Sequence, residues 1–259
     1  MRAPTGISEL DAMLHGGLMR GDVTLVVGSA GTGKTTLALQ YLINGATKFN
    51  ENGLYVTFEQ MPAQIYRDAA SFGWDIRKLE AEGKLRVVCT SPPVLVQFLE
   101  QRNPIDAIIS EVNAKRIVID SISHLESFIP ASELRGELYR LINHLKMKEL
   151  TSVFTAESHE VLGDRLIVTG VGLSFLVDCI ILLRIVEIQS SLRKALTVLK
   201  IRGSDHDKQL REFEITSTGI KISLPFEHYE SLLTGSPRRI PELEFAEALA
   251  KAARKKGGK

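Results

Sequence analysis

A chain of 259 residues, 44% hydrophobic and 24% charged, can bury a real core and fits one generous α/β-sized domain. Its formal net charge of +1 excludes an overall field that would drive it onto nucleic acid or an acidic surface, leaving only local patches for such contacts. The N-terminal MRAPTG lacks the apolar core of a signal peptide, and the most apolar run, Phe175–Leu183, is short and carries Asp178, so a soluble cytoplasmic protein with no membrane contact is expected.

In chain order, Val23–Val27 predicts a buried strand and Lys34–Ala46 the helix after it. Leu54–Phe58 is a second strand, and Pro62 opens a helix reaching about Phe72, a proline well placed at a first helical position. Leu85–Cys89 and Ile117–Ile119 are further buried strands, with Val94–Val112 between them mostly helical and interrupted near Asn103-Pro104. Ser132 is expected to cap a long helix to Glu149, whose apolar Leu134, Leu138, Leu141, Ile142 and Leu145 share one face. Ser152–Ala156, Val177–Ile188, Lys194–Ile201, Arg211–Ile215 and Gly219–Ile222 then follow as strands joined by turns. The pattern predicts a largely parallel sheet flanked by helices, extended by a C-terminal antiparallel meander. Cys89 and Cys179 sit in apolar stretches without metal-type spacing and predict buried free thiols in a reducing compartment. Residues 241–259 form a helix-prone basic tail, either a solvated terminal helix or a docking tail for a protein partner.

Gly28-Ser29-Ala30-Gly31-Thr32-Gly33-Lys34-Thr35 fits the G-x-x-x-x-G-K-[ST] phosphate loop, after an apolar strand and at the start of a helix. Its glycines let backbone N–H groups turn inward on phosphates, and the helix presents its positive end to the same anion. Ser29, Ala30, Gly31, Thr32, Gly33, Lys34, Thr35 and Thr36 are therefore the expected cradle for ATP. Lys34 is positioned for the β- and γ-phosphates, and the Thr35 hydroxyl for Mg²⁺. The apolar strand Arg116–Ile119 ends in Asp120, a second acid for the magnesium. Glu59, just past strand Leu54–Phe58, is expected at the same carboxyl edge and is the candidate general base. Alternation puts Lys200 and Arg202 on one face; the pair is either a solvated basic strand end or cations for a γ-phosphate, most usefully supplied by a neighbouring subunit.

These features together resemble the KaiC family of RecA-like P-loop ATPases, hexameric circadian-clock ATPases and autokinases. The resemblance runs from about Pro4 to Ile240. It rests on Thr5-Gly6-Ile7, His15-Gly16-Gly17-Leu18, the phosphate loop, Tyr55-Val56-Thr57-Phe58-Glu59, Ser71-Phe72-Gly73-Trp74-Asp75, Ile119-Asp120-Ser121, Lys200-Ile201-Arg202-Gly203-Ser204 and Gly235-Ser236-Pro237. It divides the chain into a KaiC/RecA-like ATPase domain, residues 1–240, and the tail, where full-length KaiC has two such domains in tandem. The second half looks more like the kinase-active second domain.

The resemblance implies a homo-oligomeric ring, usually hexameric, with ATP between subunits. It makes Lys200 and Arg202 a trans-acting pair, places Ile201, Ser204 and His206 at the adjacent nucleotide, and sets Ser71 and Phe72 near the adenine. It agrees with Glu59 as base and Asp120 as metal acid. Three departures stand out. Glu59-Gln60 replaces two adjacent carboxylates, leaving the base role to Glu59 and implying slow turnover. Ser174 and Phe175 stand where the kinase domain has adjacent Ser and Thr acceptors, with Thr169 matching a further threonine, so Ser174 is the candidate phosphosite. Lys194 replaces an arginine, keeping charge and losing bidentate geometry. The expected function is a slow Mg²⁺-dependent ATPase acting as an oligomeric switch, with serine/threonine autokinase activity as an addition. The alternatives are a DNA-binding recombination or repair ATPase, disfavoured by the near-neutral charge, and a non-hydrolysing nucleotide-dependent interaction module.

Overall fold

The computed structural model describes residues 1–96, 104–158 and 173–226, with 229–230, 232 and 238–239. The chain opens with β1 (Arg2–Ala3), α1 (Ser8–Met13) and β2 (Leu18–Met19), β1 and β2 pairing antiparallel. Next come β3 (Val23–Gly28), α2 (Lys34–Lys48), β4 (Gly53–Thr57), α3 (Pro62–Ala70), α4 (Ile76–Ala81) and β5 (Leu85–Cys89). They are followed by α5 (Pro92–Val96), α6 (Pro104–Val112), β6 (Arg116–Asp120), a 3₁₀ helix at Ile122–Ser127, α7 (Ala131–Met147) and β7 (Thr151–Glu157). A 3₁₀ turn at Leu173–Phe175 precedes β8 (Cys179–Ile188), β9 (Ser191–Ile201), β10 (Arg211–Thr216) and β11 (Gly219–Pro225); β12 (Tyr229–Glu230) pairs with β13 (Arg238–Arg239).

The main sheet has nine strands in the order β11-β10-β9-β8-β3-β7-β6-β4-β5. From β8 to β5 every pairing is parallel, and β8 through β11 form the antiparallel meander. This is the expected α/β architecture of a RecA-like fold. Strand pleating divides the core: Val26, Tyr55 and Val118 join the cluster under α1–α4, whereas Leu25, Leu54, Ile117 and Ile119 join the cluster under α6 and α7. A buried cation fastens α2 to β6. Arg116 is fully buried, bonds Glu51 Oε2 through Nε at 2.6 Å, and lies over the rings of Tyr41 and Phe49 at 4.6 and 5.4 Å. Gly45 makes room for it, since a Cβ there would stand 2.6 Å from Arg116 Cδ.

Several expectations need correction. Ser132 is not a cap: Pro130 occupies that position without a side-chain cap bond, and its carbonyl accepts from Glu133 and Leu134 at 2.8 and 3.0 Å, which puts Ser132 inside the first turn. The segment expected as Val94–Val112 appears as α5 and α6, with residues 97–103 outside the described set. Cys89 is partly exposed and only Cys179 is buried; both are free thiols. Helices α1 and α4 were not anticipated; in α4 the Asp75 side chain caps the helix by accepting from Lys78 N–H at 3.0 Å. The tail at 241–259, Thr169, and Gly235-Ser236-Pro237 lie outside the described residues. Among those described, no helix is long and apolar enough to cross a membrane.

Candidate functional site

β3 is the central strand, buried along its whole length, and it ends in the phosphate loop. Geometry requires glycine at both ends of that loop. A Cβ on Gly28 would meet Thr32 Oγ1 at 2.6 Å and the Leu183 carbonyl at 2.7 Å; Gly33 has φ of 102° and would meet Ile215 Cδ1 at 2.8 Å. Ser29 and Thr32 are buried, with the Thr32 hydroxyl donating to the Ser29 carbonyl at 2.8 Å, while Ala30 and Gly31 form the exposed tip. Lys34 Nζ lies over the loop, donating to the Gly28 and Ser29 carbonyls at 2.8 and 2.9 Å. Burial pushes its ammonium below the usual lysine range, with the charges of Glu157 and Asp120 pulling the other way. From β9, Lys194 donates to the Gly31 carbonyl and so brings a second cation to the same loop; burial lowers it too.

Asp120 ends β6, separated from β3 by β7 alone. Its Oδ2 accepts from Thr35 Oγ1 at 2.7 Å and from the Tyr55 hydroxyl, and its Oδ1 accepts from the Thr155 hydroxyl. Burial, followed by the charge of Asp120, pushes the Tyr55 phenol well above its usual range, so it stays a hydrogen donor. The loop threonine and the strand acid thus form one cluster of hard oxygens, a donor set that fits Mg²⁺. Neither Tyr55 nor Thr155 was anticipated. Tyr55 had a signal, a phenol in the middle of a buried aliphatic strand, which needs a partner for its hydroxyl. Thr155 had none, because only the pairing of β6 with β7 brings it to Asp120.

Glu59 emerges at the same carboxyl edge, two residues past the end of β4, where Thr57 pairs with Asp120. Its N–H approaches Thr57 Oγ1 at 3.4 Å, and its carboxylate lies 3.5 Å from His124 Nε2. Glu157, paired with Gly28 at the end of β7, is a further acid at this edge that the sequence reading did not single out. A cavity of about 590 Å³ runs from Thr35 and Thr36, past Gln60 and Arg67, to Ser71 and Phe72. That volume lies within the range of small-molecule sites, so Ser71 and Phe72 share one cavity with the phosphate loop.

The remaining candidates stand elsewhere. Ile201 pairs with Cys179, and Cys179 with Thr24, so the end of β9 lies at the start of β3, the edge opposite the phosphate loop. There Lys200 Nζ donates to the Ser174 and Val177 carbonyls at 2.7 and 2.8 Å, and Arg202 contacts the Phe175 carbonyl and Asp178. Burial, then the Arg202 charge, lower the Lys200 ammonium. Ser204 accepts from Arg2, and Asp207, next to His206, donates its N–H to the Met13 carbonyl at 2.9 Å. Lys200, Ile201, Arg202, Ser204, His206 and Ser174 therefore form one group on the far edge, out of reach of the chain's own phosphate loop.

A nine-stranded, largely parallel sheet with this loop on its central strand and this acid two strands away defines an ATP-binding RecA-like P-loop ATPase domain. A family profile described as "ATPase: KaiC" matches residues 3–226, and the chain belongs to the KaiC ATPase family. It is 34% identical over 247 residues to the circadian clock oscillator protein KaiC of Nostoc sp., covering 95% of this chain and 47% of that protein. It is 34% identical over 254 residues to KaiC of Thermostichus vulcanus (98% and 48%), and 37% identical over 227 residues to KaiC of Parathermosynechococcus lividus (84% and 41%). The chain spans about half the length of these relatives.

Proposed function

We propose that this chain is a slow Mg²⁺-dependent ATPase that works as a homo-oligomeric ring and serves as a nucleotide-driven switch. The observation that carries the proposal is the placement of two half-sites on opposite edges of one sheet. The phosphate loop, Asp120 and Glu59 stand at one edge, and Lys200 and Arg202 at the other. Neither half closes on the other within a chain, but a head-to-tail contact between copies juxtaposes them, and such contacts generate rings.

In that arrangement the cradle from Ser29 to Thr36 and Lys34 binds the phosphates, while Ser71 and Phe72 border the base. Thr35 and Asp120 would hold Mg²⁺, which supplies charge neutralisation of the phosphate oxygens. Glu59 takes the proton of the attacking water as its oxygen bonds the γ-phosphorus and ADP leaves. Lys200 and Arg202 of the neighbouring copy place positive charge on the transferring group.

Mixing two inactive variants tests this. Lys34→Ala disables the loop half and Arg202→Ala the edge half; each alone should hydrolyse no ATP. A one-to-one mixture should recover about a quarter of native turnover, because half the copies carry each intact half. A mixture as inactive as its parts sinks the shared site.

A second reading concerns Ser174, which Lys200 holds at the same edge. In the ring its hydroxyl faces the neighbour's γ-phosphate and acts as acceptor, its oxygen bonding phosphorus as ADP leaves and its proton passes to a neighbouring base. Label from γ-labelled ATP should remain on the protein and vanish in Ser174→Ala; label released entirely as phosphate sinks the autokinase reading.

A further inference from the structure

Glu59 is poorly equipped to act alone. Its side chain is 74% exposed, and beyond the Thr57 hydroxyl near its N–H the backbone gives it little to fix a rotamer. A general base must be held within a few tenths of an ångström of its working position, and a carboxylate free in solvent is not. The adjacent Gln60 lines the nucleotide cavity and cannot take a proton at neutral pH.

His124 stands where a holder would have to stand. It lies on the 3₁₀ helix that begins two residues after Asp120, so the metal acid and this imidazole share one short element. That element is fastened three times. Ser121 Oγ accepts from Ser123 N–H at 3.2 Å, Ser123 Oγ accepts from Glu157 N–H at 2.8 Å, and Ile122 and Leu125 are buried. The ring of His124 packs beside Phe58, the residue before Glu59, with centroids 6.3 Å apart. Its Nε2 points at Glu59 Oε2 at 3.5 Å, whereas its Nδ1 is buried without a hydrogen-bond partner. The tautomer carrying its proton on Nε2 puts no N–H into the buried side and directs the donor at Glu59.

We infer that His124 is the positioning residue for the base of hydrolysis, donating through Nε2 to Glu59 and fixing its carboxylate beside the γ-phosphate. The separation of 3.5 Å exceeds a made hydrogen bond, and catalytic contacts commonly tighten when substrate closes the site. This rests on the hydrolytic reading. His124 leaves Glu59 as the proton acceptor and contributes orientation.

The test is steady-state Mg·ATP turnover of the full chain with His124→Ala, His124→Gln, Glu59→Gln and the His124→Ala/Glu59→Gln double variant. His124→Ala should lower kcat roughly tenfold with KM within about twofold of native, the pattern of a lost transition-state contact. His124→Gln, which keeps a donor at similar reach, should restore most of the rate. In the Glu59→Gln background His124→Ala should cost nothing further, since both act through one carboxylate. Should the alanine variant lose its melting transition, His124→Phe keeps a ring against Phe58, removes the donor, and should give the same kcat loss. Native kcat in His124→Ala, or an equal loss in both backgrounds, overturns the inference while leaving Glu59 as base. Native turnover in Glu59→Gln overturns the hydrolytic reading and this inference with it.

Discussion

Two carboxylates, one at each end of the central parallel strands, receive opposite company. Asp120, at the loop end, accepts from three neutral hydroxyls, those of Thr35, Tyr55 and Thr155. Asp178, at the far end and 4% exposed, meets Lys146 Nζ at 2.6 Å, Arg202 Nη1 at 3.5 Å and the Val23 N–H at 3.0 Å. Hydroxyl donors orient a carboxylate and leave its charge to act on something else; ammonium and guanidinium partners use that charge up inside the chain. The same residue type thus meets neutral donors at one edge and cations at the other.

Replacing each acid should separate these roles. Asp120→Ala should cut ATP turnover by roughly a thousandfold, the size expected for a lost metal ligand. A modest drop in thermal stability should accompany it, from the two stranded hydroxyls of Tyr55 and Thr155. Asp178→Ala should cost about 2 kcal/mol of stability in denaturant titration, because Lys146 and the Val23 N–H lose their partner, yet leave ATP binding at the phosphate loop intact. If it abolished nucleotide binding instead, the division between edges would fail.

Tyr55→Phe sharpens the comparison on a smaller scale. Losing one of the three hydroxyls should cost about 1 kcal/mol of stability and slow turnover several-fold, both measurable without loss of fold. The smallest effect is at Asp22. Burial, then the charge of Asp178, hold its carboxyl above the usual range, against the pull of Lys146, Arg202 and Arg2. A carboxyl raised in the folded state favours folding when protonated, and that contribution fades as pH rises through its unfolded and then its folded pKa. Asp22→Asn should therefore stabilise the fold at neutral pH by about a few tenths of a kcal/mol, given its partial exposure, seen as a slight rise in melting temperature, and the gain should vanish in acid. A gain that persists unchanged into acid would assign the effect to packing.

How much of this was legible depends on where the partners lie in the chain. The phosphate loop is contiguous, and Asp120 closes an apolar strand, so pattern alone reached both. The meander was equally open, because strands joined by turns announce themselves. Thr155 and His124 were closed to such reading: each acquires meaning only after β6 is laid beside β7 and β4. The long helix shows a local failure, since Ser132 has the chemistry of a cap but Pro130, with φ fixed near that of a helix start, already sets the entry two residues earlier. The far-edge cluster was half legible. Alternation joined Lys200 to Arg202, but nothing short of the sheet order revealed that they stand at the opposite end from the loop.

β9 carries a consequence for how this chain can change length. One strand sets Lys194 on the chain's own Gly31 and, six residues on, Lys200 at the far edge, about 20 Å away at the rise of a β-strand. In the proposed ring it would set the distance from one copy's phosphate loop to the cations that copy offers its neighbour. The span already holds one unmatched residue, Leu199, where the pairing steps from Ile180↔Lys200 to Ile181↔Val198; one more inserted residue would turn the later side chains to the other face, and two would lengthen the span by nearly 7 Å. Tolerance for added length should instead lie at the Gln189-Ser190 turn, whose residues have φ of 50° and 60°, outside the span between the two lysines.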